Sequence, residues 1–110
     1  MKEEIIEEII KFRDERNWNQ FHTPKDLSIS ISIEANELLE IFQWKEDEEV
    51  LDKNKKEIKE ELADIMIYAI ILSHELDIDL EKAIYDKLNK NSKKYPVDKA
   101  YGSNKKYDEL

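Results

Sequence analysis

Apolar residues recur at helical spacing along most of this chain. From Lys2 to about Asn17 they occupy one side of a helix, and glutamate, lysine and arginine occupy the other. The same spacing runs from about Lys25 to Gln43, from Lys55 to about Glu75 and from Leu80 to about Lys93. The pattern therefore predicts four helices, with Asp79 as the N-terminal cap of the last.

The predicted helices are separated by segments of a different composition. Residues 17–26, NWNQFHTPKD, contain Pro24, which favours an extended residue before it, and Asp26, which is available as a cap. Residues 45–54, KEDEEVLDKN, are charged and show no apolar spacing, so we predict a loop. Pro96 and Gly102 indicate an irregular basic tail from about residue 95.

One stretch fits two patterns. Residues 27–33, LSISISI, alternate strictly between apolar and polar, which alone predicts a short strand. However, Leu27, Ile31 and Leu38 also continue a helical stripe, and no second strand-like run is present for pairing. We therefore predict one helix through this region and an all-α fold.

Composition limits the possible classes of protein. A chain of 110 residues is most simply one domain, 1–110, with a modest core that association with further copies would help. The absence of cysteine excludes disulfides, thiol nucleophiles and cysteine zinc sites, and it is compatible with a reducing cytoplasm. The N-terminus is acidic and amphipathic, and no apolar run approaches ~20 residues, so we expect a soluble, cytoplasmic protein without a membrane partner.

Charge is unevenly distributed along the chain. Charged residues make up 41% of it and the net charge is −9. The stretch from Lys87 to Tyr107 contains seven lysines and one aspartate and carries +6, which leaves −15 for the remainder. An acidic body with a basic tail does not suit binding to a nucleic-acid polymer. It suits metal cations in the body and phosphates near the tail.

Two predicted helices each carry a pair of acids within their apolar stripe. Glu34 and Glu37 are three residues apart on the second helix, and Glu61 and Asp64 are three apart on the third. Residues at this spacing share a helix face, so antiparallel packing would bring four carboxylates together. Such a cluster requires cations, and all-oxygen ligation favours Mg²⁺ first and Mn²⁺ second. A magnesium site of this kind fits a hydrolase of phosphate esters or anhydrides.

Acid pairs at this spacing are also common on solvated helix faces. The chain contains 27 aspartates and glutamates, so such pairs arise often by chance. From spacing alone, a non-catalytic helical interaction protein therefore remains an alternative to the metal site.

The order of several motifs resembles a known family. Glu34-x-x-Glu37, then 23 residues, then Glu61-x-x-Asp64 is similar to the E-x-x-E…E-x-x-D signature of the MazG-like all-α nucleoside triphosphate pyrophosphohydrolases. The segments WNQFHTPKDL, ELLEIFQWK, EELADIMIY, KLNKNSKKYP and NKKYDEL most resemble the dCTP pyrophosphatase branch. The resemblance implies a four-helix MazG-like bundle that is completed by oligomerisation, as a tetramer built from two dimers.

The resemblance also implies a reaction. The four acids would hold two or more magnesium ions, which neutralise a triphosphate and activate a water that attacks the α-phosphorus. Pyrophosphate would leave, and dCTP would become dCMP as part of nucleotide-pool housekeeping. The same fold acting on dUTP or a modified nucleotide is a further alternative. The motif does not decide which carboxylate acts as the base.

Further residues match the substrate-binding positions of this branch. Three of them would enclose the base, one would contact the sugar or a phosphate, and four would bind phosphates. In that order they are Trp18, His22 and Trp44; Tyr68; and Lys87, Asn91, Lys94 and Tyr95. Lys94 stands where relatives commonly carry arginine, which keeps the charge but loses bidentate geometry.

Overall fold

The computed structural model describes residues 2–110, which form six α-helices and two 3₁₀ turns. No strand occurs among these residues, so the all-α prediction is confirmed. By their contacts the helices divide into one unit that ends at Ile78 and another from Asp79 to Leu110. The helices are α1 (Glu3–Glu15), α2 (Pro24–Phe42), α3 (Asp47–Lys53), α4 (Lys55–Glu75), α5 (Leu80–Lys94) and α6 (Val97–Ala100); the 3₁₀ turns span Trp18–Phe21 and Tyr107–Glu109.

The first unit is organised around the packing of α2 along α4, and α1 and α3 contact this pair. Its buried apolar side chains are few: Leu27 from α2, Val50 from α3, and Ile70 and Ile71 from α4. Because α2 and α4 make the main contact of the unit, residues on their facing sides are brought together.

Helix α2 begins two residues before Asp26. Thr23 is the N-cap, and its hydroxyl oxygen accepts a hydrogen bond from the Asp26 backbone N–H at 3.1 Å. Pro24 occupies the first helical position, where its missing N–H costs nothing. The suggestion that Asp26 is the cap is therefore wrong. The helix then runs without interruption through residues 27–33, as the apolar stripe predicts.

Residues 45–54 are not a loop, because α3 forms within them. Asp47, Glu48 and Glu49 lie in its first turn and Lys53 in its last, which suits the helix dipole at both ends. Val50 is fully buried and anchors the helix to the unit. A seven-residue helix with one buried anchor is too short to show an apolar period, which explains why the pattern missed it.

The second unit is built on α5. Asp79 caps this helix, as predicted, because its Oδ1 accepts a hydrogen bond from the Lys82 backbone N–H at 3.1 Å. After α5, the residues assigned to the tail form α6 and the second 3₁₀ turn. Nowhere in residues 2–110 is a helix long and apolar enough to cross a membrane.

Candidate functional site

The contact between α2 and α4 brings acidic side chains together. Glu34 of α2 meets Glu61 and Asp64 of α4, and one carboxylate oxygen from each lies within 4.8 Å of the others. All three side chains are half-buried. Three of the four acids that the sequence nominates therefore form one cluster.

Glu34 is held in an environment that opposes its ionisation. Burial, the side chains of Glu61 and Glu37, and the charge of Asp64 together raise the pKa of Glu34 from 4.5 to about 7. Ionisation of a carboxyl group in this position is unfavourable unless a cation is present.

Glu61 is subject to opposing influences. The Glu34 side chain lowers the pKa of Glu61, but burial and the charges of Glu37 and Asp64 outweigh this effect, so the pKa is raised. Glu37 is itself exposed and outside the 4.8 Å cluster, yet it affects both neighbours. Glu37 therefore faces the cluster from its rim.

The cluster suits a hard divalent cation. The Oε2 atoms of Glu34 and Glu61 are buried and accept no hydrogen bond from residues 2–110. Buried acceptors without partners are costly, and a metal ion would satisfy both atoms at once. Because the donors are all carboxylate oxygens, the set fits Mg²⁺ or Mn²⁺.

A cavity of about 260 Å³ lies beside the cluster and shares Asp64 with it. Its wall is mainly aromatic and aliphatic, with a few polar groups, which is the usual composition of a site for a small molecule. The lining residues are Phe12, Arg13, Trp18, His22, Asp64, Ile67, Tyr68 and Ile71. Trp18, His22 and Tyr68, which the resemblance nominates, are thus brought together.

Two of these rings pack against each other in the cavity wall. The His22 and Tyr68 rings meet edge to face, with centroids 6.4 Å apart. Burial, and then the charges of Glu34, Asp64 and Glu37, raise the pKa of Tyr68, which therefore keeps its hydroxyl proton near neutral pH. Burial and the Arg13 charge lower the pKa of His22, and its buried Nδ1 has no hydrogen-bond partner among the described residues. The cavity thus offers an uncharged imidazole.

Trp18 belongs to a small aromatic cluster. Its ring meets the Phe12 ring edge to face at 5.7 Å, and the Arg16 guanidinium lies 3.8 Å from the Phe12 centroid. Asn17 takes a left-handed conformation, φ 54°, just before the 3₁₀ turn that carries Trp18. The start of this turn therefore depends on a backbone conformation that asparagine tolerates.

Arg13 also lines the cavity, although the sequence pattern did not predict it as a site residue. Its side chain is 6% exposed, forms an ion pair with Asp14 at 2.9 Å and another with Glu75 of α4, and lines the cavity. The signal was available, because Arg13 lies four residues after Ile9 and three after Ile10, on the apolar side of the first helix. A charged residue within an apolar stripe indicates a buried partner, as at Glu34.

The remaining nominated residues lie outside this cavity. Trp44 is 94% exposed, with φ 65°, and does not line the cavity. The four proposed phosphate ligands, Lys87, Asn91, Lys94 and Tyr95, all belong to the second unit. Their roles stay predictions.

Comparison with known proteins finds a matching family model and related sequences. Residues 29–110 match the model of the MazG-like family. The chain is 38% identical to dCTP pyrophosphatase 1 of Rattus norvegicus over 105 residues, which cover 91% of this chain and 62% of that protein. It is 37% identical to dCTP pyrophosphatase 1 of Homo sapiens with the same coverage. The chain thus spans less than two thirds of the length of these curated relatives.

A solved structure is similar over more of its own length. The crystal structure of a pyrophosphatase from Archaeoglobus fulgidus superposes on this chain with a TM-score of 0.82 at 46% sequence identity. The match covers 86% of this chain and 91% of the other. The similarity therefore covers both the fold and the sequence.

The raised pKa of Glu34 predicts how the metal-free protein responds to pH. A carboxyl whose pKa is higher in the folded chain contributes stability that declines as pH rises from about 4.5 through about 7. In the presence of a chelator, Glu34→Gln should therefore be more stable than wild type at pH 8, by about 1–3 kcal/mol. Urea denaturation at pH 5 and pH 8 measures this difference.

Glu40→Gln is the matched control, because Glu40 is exposed on the same helix and outside the cluster. It should follow wild type at both pH values. If Glu34→Gln also lost stability in parallel with wild type between pH 5 and 8, Glu34 would not be the titrating group.

Proposed function

The chain belongs to the MazG-like family, and from this premise we propose that it is a magnesium-dependent nucleoside triphosphate pyrophosphohydrolase. The proposed reaction converts a deoxynucleoside triphosphate, with dCTP preferred, to the monophosphate and pyrophosphate. The enzyme would be a diphosphatase that acts on an acid anhydride, with a role in nucleotide-pool housekeeping. A cytoplasmic location and a single domain over residues 1–110 remain part of the proposal.

One observation carries this proposal. Asp64 belongs both to the carboxylate cluster with Glu34 and Glu61 and to the wall of the aromatic cavity. A nucleoside triphosphate needs cations at its phosphates and an apolar, flat-walled space at its base. The two requirements meet at one residue, on a helix that the main packing contact of the unit holds in place.

The acids would divide the metal ligation between two helices. Glu34, Glu61 and Asp64 supply the clustered oxygens, and Glu37 at the rim would complete the set that the family motif assigns. When bound, magnesium would neutralise phosphate charge and lower the pKa of a water for attack on the α-phosphorus. The part of this chain would be to hold the four carboxylates where a bound cation favours their ionised form.

The cavity would hold the base away from water. Trp18 offers a flat ring for stacking, and the neutral His22 imidazole lines the same cavity. Tyr68, which keeps its proton, can donate to a sugar or phosphate oxygen. Lys87, Asn91, Lys94 and Tyr95 would bind phosphates, as two cations, an amide and a phenol suit an anion.

Apolar exposure supports a homo-oligomer. On α2, Ile29 and Ile33 are about half exposed and four residues apart, and Leu62 and Met66 repeat this arrangement on α4. Residues four apart share one helix face, so each helix carries an uncovered apolar strip. We propose that further copies of the chain cover these strips, in a tetramer built from two dimers.

Trp44 fits the same proposal. The Trp44 ring is 94% exposed and stands on left-handed backbone, so burial within its own chain stabilises it very little. We propose that Trp44 forms part of the base pocket of a second copy. This arrangement accounts both for its family position and for its absence from the cavity of its own chain.

The reaction itself is a prediction of the proposed function. With dCTP and Mg²⁺, the protein should release dCMP and pyrophosphate, which ion-exchange chromatography separates from dCDP and orthophosphate. Asp64→Asn should lower kcat/KM roughly 10²-fold or more, because a metal ligand and a cavity wall are changed together.

The control for this substitution is Glu60→Gln, which removes an exposed acid from the same helix and should leave kcat/KM unchanged. Release of dCDP and orthophosphate would show that the proposed position of cleavage is wrong. No reaction, together with no Mg²⁺ binding by the wild-type protein, would favour the helical interaction protein instead.

Substrate preference is a further prediction of the proposed function. A panel of dCTP, dUTP, dTTP, dATP, dGTP and 5-modified pyrimidine triphosphates should rank dCTP first in kcat/KM. Loss of the Trp18 ring in Trp18→Leu should lower kcat/KM for every substrate, by roughly fivefold to a hundredfold, because stacking does not depend on base identity. If dUTP or a modified nucleotide had the highest kcat/KM, the proposed reaction would stand and the proposed substrate would be wrong.

The placement of Trp44 predicts complementation between two defective variants. Trp44→Ala and Asp64→Asn should each have low activity alone. After the two are mixed, partly unfolded and refolded together, heteromers should regain activity, because one copy supplies the acids and its partner supplies the ring. Random pairing restores about a quarter of the wild-type sites under two-fold symmetry.

A mixture of Glu60→Gln with Asp64→Asn is the control, because it shows how activity changes when inactive copies dilute active ones. If Trp44 acted within its own chain, the mixture of Trp44→Ala and Asp64→Asn would stay at the level of its components.

A further inference from the structure

The segment after α5 turns back to the end of that helix. Helix α5 ends at Lys94, α6 follows, and Gly102 then takes φ 72°, in the left-handed region that favours glycine. Two hydrogen bonds stabilise the turn. The Ser103 N–H donates to the Ala100 carbonyl at 3.0 Å, and the Lys105 N–H donates to the Ser103 hydroxyl at 3.2 Å. The chain then reaches the 3₁₀ turn that begins at Tyr107.

The returning segment places one ring against two residues of the proposed phosphate site. The Tyr107 ring meets the Tyr95 ring edge to face, with centroids 6.1 Å apart and planes at 80°. The Lys94 Nζ lies 4.9 Å from the Tyr107 centroid. These distances are within the range of an aromatic pair and of a cation–π interaction. Tyr95 thus holds the ring over which Lys94 rests.

The Lys94 ammonium remains able to bind an anion. None of the ion pairs found in the described part of the chain involves Lys94, so its N–H groups are not committed to an internal carboxylate. The ring contributes no negative net charge, and it therefore does not neutralise the cation as an aspartate would. Tyr107 restrains Lys94 without competing for the N–H donors.

A lysine gains more from such restraint than an arginine does. Its ammonium is a point charge on a flexible stem and has no fixed fork of donors that imposes a geometry on a phosphate. Fixing the stem in the bound complex costs side-chain entropy, and a contact that restrains it beforehand lowers this cost. The face of an aromatic ring supplies this restraint through electrostatic attraction.

We propose that Tyr107 is a positioning residue that holds the Lys94 ammonium ready for a phosphate group of the substrate. The inference rests on the proposed function, since it deepens the assignment of Lys94 to the triphosphate. Tyr107 acts through Lys94 and does not itself contact the substrate. The segment from Pro96 to Leu110 thereby has a role in anion binding as well as in structure.

The first measurement is the affinity for inorganic tripolyphosphate, by calorimetry on the full chain. Because a cation–π contact at a half-exposed site changes an equilibrium about two- to fivefold, Tyr107→Ala should raise Kd by this factor. Tyr107→Phe keeps the ring face and should bind like wild type. Tyr101→Ala removes an 88% exposed ring from the same segment and should also bind like wild type. An unchanged Kd in Tyr107→Ala would overturn the proposal.

A double-mutant cycle separates positioning from a general effect on the segment. In Lys94→Met the stem remains and the charge is lost, so the ring has no ammonium to hold. Tyr107→Ala should then raise the Kd for tripolyphosphate no further. A second, equal loss on the Lys94→Met background would show that the ring acts on another group, and the proposal would fail.

NMR reports the contact without any ligand. The ε-methylene protons of Lys94 should be shifted upfield by the Tyr107 ring, and the shift should vanish in Tyr107→Ala and persist in Tyr107→Phe. Absence of the shift in wild type would overturn the proposal. If Tyr107→Ala weakens tripolyphosphate binding while wild type hydrolyses no nucleoside triphosphate, the positioning role stands and the proposed function fails.

Discussion

The close approach of three half-buried carboxylates is the feature on which the site in the first unit depends. The packing of α2 on α4 holds Glu34, Glu61 and Asp64 within 4.8 Å of one another, and the pKa of Glu34 rises to about 7 as a result. Without a cation this arrangement lowers stability, because burial and neighbouring charges both oppose ionisation. A bound cation would offset this loss of stability. The carboxylate oxygens of the cluster all suit a hard metal ion.

The core that supports this cluster is small. Leu27 and Val50 are the largest fully buried side chains of the described residues, while many large apolar side chains remain exposed. The ion pair between the buried Arg13 of α1 and the partly exposed Glu75 of α4 adds a link between these two helices. The first unit thus combines an unfavourable cluster of carboxylates with a small apolar core. Burial of its exposed apolar strips against further copies would add stability that offsets both.

Local rules accounted for most of the helices. Apolar spacing placed α1, α2, α4 and α5 to within about two residues of their observed ends, and the Asp79 cap was correct. The misses have physical reasons. Helix α3 is held by one buried valine and by charges at its ends, which leave no period to detect. Thr23 was overlooked as the cap of α2 because Asp26, three residues later, offered an equally suitable side chain.

The sequence by itself determined which residues share a helix face, because a period of 3.6 residues places Glu34 beside Glu37 and Glu61 beside Asp64 in any α-helix. Only the tertiary structure decided that Glu34, Glu61 and Asp64 form the closest group, with Glu37 at the rim. It also decided that Arg13 lines the cavity, that Trp44 does not, and that Tyr107 meets Lys94. These outcomes depend on how elements distant in sequence pack, and spacing along one helix carries no information about the neighbour that it meets.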